Sequence, residues 1–442
     1  MGAPFDRDTV TSASARAGDP DWLREARLEA FARFESLPWP DQTLEEWKHT
    51  DIRGLDLGAF DALPAEHPAA SGLDDVPDQI RALAIGQKGD RHGLAIQIDG
   101  DVVHLRLAPG LAEKGVVFGP ASEVAATHGD HVRDTFGRAG ASDHEAKFAA
   151  LNHAFALGGV FLYVPRGVVV DKPIQSVRWI SRGGIAIFPR IIIVADEGAE
   201  VTYIDHHASA ALDAESLNVS AIEIYAHQNA RVTYVAVQDF AQQVWRFSQL
   251  RAIVERDATV RALDASFGGK LSRSIAQAVM EGQGGHAELL GLAFGDHAQH
   301  IDSRTLQLHR GPNTSSQVYY KTALKGTARA VYSGLVDLEK EGLMADAQQA
   351  NRNMLLSDGA IADASPFLEI KTSEVARATH AVSVGRPDAE VLFYMASRGI
   401  DPVEAEKLYV TSFFQEIIDR VRVPEIRETL EAAIEAELAL ED

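Results

Sequence analysis

Gly198-Ala199-Glu200-Val201, Asn229-Ala230-Arg231-Val232 and Asp257-Ala258-Thr259-Val260 are one turn written three times. A looser copy follows at Gly285-His286-Ala287-Glu288, and the four alanines lie 31, 28 and 29 residues apart. A period in this range marks a solenoid, whose units cannot bury an apolar face alone and must stack on their neighbours. Between and before the turns lie short β-branched runs: Val160–Val164, Arg190–Ala195 and Ala221–Ala226. Small and apolar residues alternate in Thr202-Tyr203-Ile204 and Thr233-Tyr234-Val235-Ala236. Each unit therefore reads as one coil of two or three short strands. A parallel β-helix satisfies the period, the strand length and the small turn residues together. An antiparallel sandwich of hairpins is the competing reading of the same runs.

Working outward, the flanks change character. Trp22, Leu23, Ala26, Leu28, Ala30, Phe31 and Phe34 keep helical spacing up to Pro38-Trp39-Pro40, which cannot continue a helix. A short amphipathic piece, Leu44 to Ile52, turns Trp47 inward, and residues 63–77 with three prolines read as a linker. Toward the other end, Asp401-Pro402-Val403-Glu404 is a strong helix start, with an Asp cap and Pro at the first position. Ala405, Leu408, Tyr409, Ser412, Phe413, Glu416, Ile417 and Arg420 form its stripe, widened by Phe414, Ile418 and Val421. A last helical pattern with an acidic exposed face runs from Pro424 to Leu440. The expected division is a mixed helical region at 1–130, a β-helix core at 131–365 and a helical region at 366–442.

Composition excludes several functions. The chain has 442 residues, no cysteine and a net charge of −22. Disulfides are ruled out, and the negative charge repels a nucleic-acid backbone. The N-terminus lacks an apolar signal core, and no stretch approaches ~20 apolar residues, so a cytoplasmic protein that neither enters nor spans a membrane is expected. There is no phosphate loop, nucleophile elbow or H-E-x-x-H zinc helix, and nothing groups the acids as a carbohydrate-active β-helix enzyme would need. The expectation is that the chain is not an enzyme. His297 and His300 have H-x-x-H spacing, but on a strand they would point to opposite faces. His206-His207 reads as a turn pair, and His309 as part of a ladder that steadies the coils.

Three further stretches carry a resemblance. They are Ala347-Gln348-Gln349-Ala350-Asn351-Arg352-Asn353 with Pro366-Phe367-Leu368-Glu369-Ile370, then Ala378-Thr379-His380-Ala381, then Leu392 to Ile400. This order resembles the C-terminal signature of the SufB/SufD family, scaffold subunits of the SUF iron–sulfur cluster assembly system. Asn152, Ala154, Phe155, Val160, Val164-Pro165 and Pro173-Ile174 resemble its opening segment, and Pro312 to Ser316 its "H-x-x-P-x-T-x-S" coil. Glu45-Glu46-Trp47-Lys48-His49-Thr50-Asp51 resembles an element of the SufD branch that SufB chains generally lack.

The resemblance implies a right-handed parallel β-helix, a heterodimer with SufB, and a SufC ATPase held on the C-terminal helices. Phe393, Tyr394, Arg398, Tyr409, Phe413 and Phe414 become candidates for partner binding, with core packing as their other role. His380, expected in a short turn, becomes a candidate iron or cluster ligand at the SufB interface, with Glu369 along the same edge. No cofactor is expected on this chain alone; an iron–sulfur cluster would lie at that interface. In family members the turn commonly reads Cys-[Ser/Thr]-His-[Gly/Ala], and here Ala378 stands in the cysteine position. A SufB-like paralogue is the alternative, disfavoured because no thiolate is available. A homodimer in isolation is a further expectation, since exposed strand edges pair.

Overall fold

In the computed structural model the described residues are 2–85, 91–129, 132, 135, 145–421 and 423–439. The chain winds as a parallel β-solenoid of about eight turns, which bears out the mainly β reading and excludes the hairpin sandwich. One sheet holds β1 (Gly93–Ile98), β2 (Asp101–Leu107), β5 (Ile174–Ile180), β8 (Glu200–Ser209), β10 (Arg231–Asp239), β12 (Thr259–Ser266), β14 (His286–Gly295), β16 (Ser315–Leu324), β18 (Ala345–Leu355) and β20 (Val375–Gly385). The facing sheet holds β3 (Val117–Pro120), β4 (Val160–Val164), β7 (Arg190–Ala195), β9 (Ser216–Ala226), β11 (Val244–Val254), β13 (Leu271–Met280), β15 (His300–His309), β17 (Arg329–Leu338) and β19 (Ile361–Ile370), with β6 (Ala186–Ile187) beside β9. Each coil thus contributes two long strands.

The repeated turns are the corners. Gly198, Asn229, Asp257, Gly284, Asn313 and Met344 all have φ between 54° and 73°, the left-handed region that Gly, Asn and Asp enter most easily. Each donates its N–H to a carbonyl of the next coil, as from Asn229 to Arg256 at 2.9 Å and from Asn313 to Leu343 at 2.8 Å. The ladder therefore continues through the bends, and no buried amide is lost there. Ala199, Ala230 and Ala258 are buried at the corners. The fourth alanine is a correction: Ala287 stacks on Val260, below Val232 and Val201, so the place of Ala258 falls to Gly285.

Inside, aliphatic side chains of both sheets meet in one core with stacked tyrosines, Tyr203 on Tyr234 at 6.2 Å. Glycines make room for bulky neighbours: a Cβ at Gly291 would strike the Tyr320 ring, and one at Gly334 the Gln349 amide.

Helices cover the outer faces. These are α1 (Arg7–Ala17), α2 (Asp21–Ser36), α3 (Asp78–Ile85), α4 (Pro109–Ala112), α5 (Ala121–Thr127), α6 (Ala146–Phe155), α7 (Ala389–Ser397), α8 (Pro402–Ile418) and α9 (Pro424–Ala439). On the second sheet α6 lays Phe148 flat on Phe247 at 3.9 Å, and Trp47 stacks on Phe148 at 5.7 Å. The Arg273 guanidinium lies 3.8 Å over Trp47 and is paired with Glu145 and Asp302, while the Thr50 hydroxyl donates to Asp302 at 2.6 Å. The Trp47 to Thr50 element is thus a clasp that closes a buried charge network. On the first sheet Phe414, Ile417, Ile426, Leu430 and Ile434 bury Ile204, Val235, Leu263 and Leu290. Among the described residues no helix is long and apolar enough to cross a membrane.

The boundaries differ from those expected. Stacked strands run on to Gly385 rather than ending at 365, because β19 pairs with β17 throughout and β20 with β18 apart from one bulge. The boundary at 130–131 falls outside the described residues. Since Tyr320 fills the space at Gly291, Gly291→Val should lower stability by ~1–3 kcal/mol, read as a lower urea midpoint with unchanged slope.

Candidate functional site

The two ends of the solenoid are built differently. At the N-terminal end each sheet finishes in a short antiparallel strand whose side chains are largely covered, β2 on β1 and β3 on β4. At the C-terminal end, β19 and β20 pair on one side only and finish their sheets. Their side chains are exposed apolar groups, Phe367 and Ile370 on β19 and Val382 and Val384 on β20. Two adjacent open edges with apolar side chains form a template for another chain.

His380 lies at the middle of β20, not in a turn, because Val375 to Gly385 pair continuously with β18 apart from one irregularity at Ala345/Asp346. Its register partner is Gln349, whose side chain is buried. Stacked residues of parallel strands share a face, so His380 continues the inward-facing row past the last closed coil. No further coil follows, and His380 is exposed. Beneath it, Gln349 Nε2 donates to the Tyr332 hydroxyl at 2.8 Å, and that hydroxyl meets Thr305 Oγ1 at 2.8 Å. The row is thereby held in place. Ala378, two residues along on the same face, stacks on buried Ala347. Glu369 sits on β19 in the other sheet and pairs with Lys371 at 3.1 Å. Among the described residues no three His, Cys, Asp or Glu side chains are grouped to hold a metal. His380 can offer one imidazole, and a full ligand set would need a second protein.

Beside this end stand the terminal helices. Phe393 and Tyr394 on α7 are 75% and 57% exposed, and the Arg398 guanidinium lies 5.0 Å from the Tyr394 ring. Tyr409 is partly buried, its hydroxyl accepting from the Asp388 N–H at 3.3 Å. Phe413 is partly buried under the Lys321 ammonium at 4.9 Å. Phe414 is a correction: it is fully buried against the first sheet, so it is core and not a docking residue. The buried face of α8 runs through Ala405, Val410, Phe414 and Ile417, rotated from the expected stripe, which leaves Leu408 exposed.

Comparison with known proteins fits this architecture. Residues 178–413 match "SUF system FeS cluster assembly, SufBD core domain", and residues 93–176 match the "SufBD protein N-terminal region". The chain belongs to the SufBD family. It is 29% identical over 436 residues to the "Iron-sulfur cluster assembly protein SufD" of Bacillus subtilis (strain 168), covering 97% of each chain. It is 29% identical over 415 residues to an "Iron-sulfur cluster assembly SufBD family protein" of Staphylococcus epidermidis (strain ATCC 12228 / FDA PCI 1200), covering 92% of this chain and 87% of the relative.

Within this SufBD fold the other histidines singled out in the sequence lie in the coils, away from the last one. His206 and His207 lie in β8, not in a turn. Burial pushes His206 down to about 4, and His207 Nε2 faces Asp205 Oδ2 at 2.7 Å. Tyr234 donates to the same oxygen at 2.7 Å. His309 is fully buried, between Thr314 Oγ1 at 2.8 Å and Ser316 Oγ at 2.7 Å, and burial pushes it down to about 4. It steadies the coil, as its place before Pro312 to Ser316 indicated. His297 occupies a left-handed corner and His300 opens β15, so a bend separates them. The buried groups that sequence reading missed are Arg178 with Asp205, and Arg273 with Glu145 and Asp302. For Arg178, Asp205, Arg273 and Asp302 the one signal was a charge inside a strand, and for Glu145, which precedes α6, there was none.

A base held neutral by burial adds stability above its unfolded value and loses it as pH falls toward its folded value. Stability should therefore be full above about pH 6.5 and fall between there and about pH 4, by ~1–3 kcal/mol per histidine. His309→Gln should flatten the fall, read as urea midpoints across that range.

Proposed function

We propose that this chain is a non-catalytic scaffold subunit of a SUF complex, of the SufD kind, that pairs with a cysteine-bearing SufB and carries a SufC ATPase. The observation that carries the reading is the unpaired last coil, with apolar β19 and β20 and exposed His380 on its inward row. Strand addition there satisfies the free amides and carbonyls and buries Phe367, Ile370, Val382 and Val384 at once. The absence of cysteine supports a division of labour. The partner brings thiolates, and His380 adds a single nitrogen donor to iron or to a nascent cluster, which is cargo of the assembly rather than a resident cofactor. Full-length similarity to a protein named SufD, and the Trp47 to Thr50 clasp, support this branch. Without SufB the same edge pairs two copies of this chain.

Phe393, Tyr394 and Arg398 present the ATPase surface, with Tyr409 and Phe413 supporting it from α8. Movement of the ATPase would then pull on helices that lie beside the last coil. A cytoplasmic setting accords with the reading.

Co-expression with a cysteine-bearing paralogue and an ABC-type ATPase tests the assignment. Val382→Lys with Val384→Lys should weaken paralogue binding by about 2 kcal/mol or more, roughly thirtyfold, and spare the ATPase. Phe393→Ala with Tyr394→Ala should do the reverse. His380→Ala should keep both partners and lower the iron and sulfide recovered with the complex. Full cluster content in His380→Ala would contradict the ligand role, and failure to retain either partner the scaffold role.

A further inference from the structure

Gln349 on β18 lies directly beneath His380 on β20, at the same register position and on the same inward face. Gln349 is 3% exposed. Its amide nitrogen is committed: Nε2 donates to the Tyr332 hydroxyl at 2.8 Å, and that hydroxyl meets Thr305 Oγ1 at 2.8 Å. Gly334 leaves the room for this, since a Cβ there would overlap Nε2 and crowd the Tyr332 hydroxyl. Two residues of β17 therefore fix the amide. Its oxygen is not committed. Among the described residues, Gln349 Oε1 is buried without a hydrogen-bond donor.

A buried acceptor without a donor is costly, and in a native fold it calls for a partner or a working role. The next inward group has what it lacks. Neighbouring strands of a sheet lie about 4.8 Å apart, so side chains at one register position can reach each other. His380 is exposed and makes no hydrogen bond of its own among the described residues. A neutral imidazole carries one N–H to give and one lone pair to keep. Asn351, two residues along β18, shows the contrast. Its Nδ2 is also buried without a partner among the described residues, but it is a donor, and its register partner Val382 has no acceptor on its side chain. Of these two orphan groups under β20, only Gln349 Oε1 lies beneath a side chain of matching chemistry.

We propose that Gln349 is a positioning residue for His380. Its Oε1 accepts the N–H of one ring nitrogen, which turns the other nitrogen and its lone pair toward the open end where iron or a nascent cluster is received. The inference rests on the ligand role proposed above for His380. Such a bond fixes the tautomer and the angle of the ring, and it makes the remaining nitrogen a stronger donor. Tyr332 and Gly334 act one step further back, by holding the amide.

Long-range proton–nitrogen NMR of the histidine-labelled full chain, without metal, reads the ring directly, with His380 assigned from His380→Gln. At about pH 8.5, where imidazole is neutral, one His380 tautomer should dominate. Gln349→Met, of similar length but with no amide acceptor, should return the ring to a mixed population. Gln349→Glu keeps an acceptor and should restore the single tautomer. Equal tautomer populations in the parent chain and in folded Gln349→Met would overturn the positioning role. If Gln349→Met does not fold, Tyr332→Phe removes one oxygen and releases the amide; it should shift the same populations, and an unchanged ring would overturn the role equally. In the complex with a cysteine-bearing paralogue, iron affinity should fall about tenfold or more in Gln349→Met and recover in Gln349→Glu. Full affinity in Gln349→Met, where His380→Ala binds weakly, would contradict the positioning role. Full affinity in His380→Ala, with the Gln349-dependent tautomer intact, would count against the ligand reading and leave the Gln349–His380 bond standing.

Discussion

The structure depends on the backbone ladder between coils. A coil has few hydrogen bonds of its own along its strands; its N–H and C=O groups are satisfied by the coil before and the coil after. The corners obey the same rule through their left-handed residues, each bonded to the next coil. A stack built this way must do something at its ends. Here every terminal strand has one neighbour, β2 and β3 at the first end and β19 and β20 at the last, but the first pair is largely covered while the last exposes Phe367, Ile370, Val382 and Val384. That difference in exposure, rather than any pocket, is what supports the partner surface proposed at the last coil.

The flanks serve the same geometry. α6 and the Trp47 clasp seal one sheet around Arg273, Glu145 and Asp302, two acids against one shared arginine, with Arg304 at 3.3 Å from Asp302 as a second cation. Burial, helped by the neighbouring Asp302 charge, drives the Glu145 carboxyl upward, and Arg273 and Arg304 work against that shift. α8 and α9 seal the other sheet, and α7 is carried at the edge of the last coil with its aromatics outward. The sides are thereby finished, and the exposed apolar area is concentrated where the ladder stops.

Much of this was legible in the sequence because corners constrain residue type. Gly198, Asn229 and Asp257 sit where a left-handed backbone is needed, so their spacing measures the coil. The copy at Ala287 slipped out of register because two glycines adjoin: Gly284 is the left-handed residue, so Gly285 stands where Ala258 does and Ala287 where Val260 does. His206-His207 was misread because adjacent polar residues usually mark a turn, whereas this solenoid buries polar groups on both faces of β8. The helical stripe could not tell Phe413 from Phe414, since adjacent residues differ by only ~100° of helical rotation and the sheet decides which is covered. His380 was found by its motif; its place on an open, inward-facing row came only from the pairing with Gln349.

The central claim is that the last coil is unfinished and a companion chain completes it. Hydrogen–deuterium exchange of the 361–385 amides, with and without a cysteine-bearing paralogue, measures this most directly. Outward-facing amides of β19 and β20 should exchange fast in the isolated chain, or be shielded only as far as it self-pairs, and become strongly protected in the complex. Unchanged exchange at 361–385 in a stable complex, with protection elsewhere, would contradict the account.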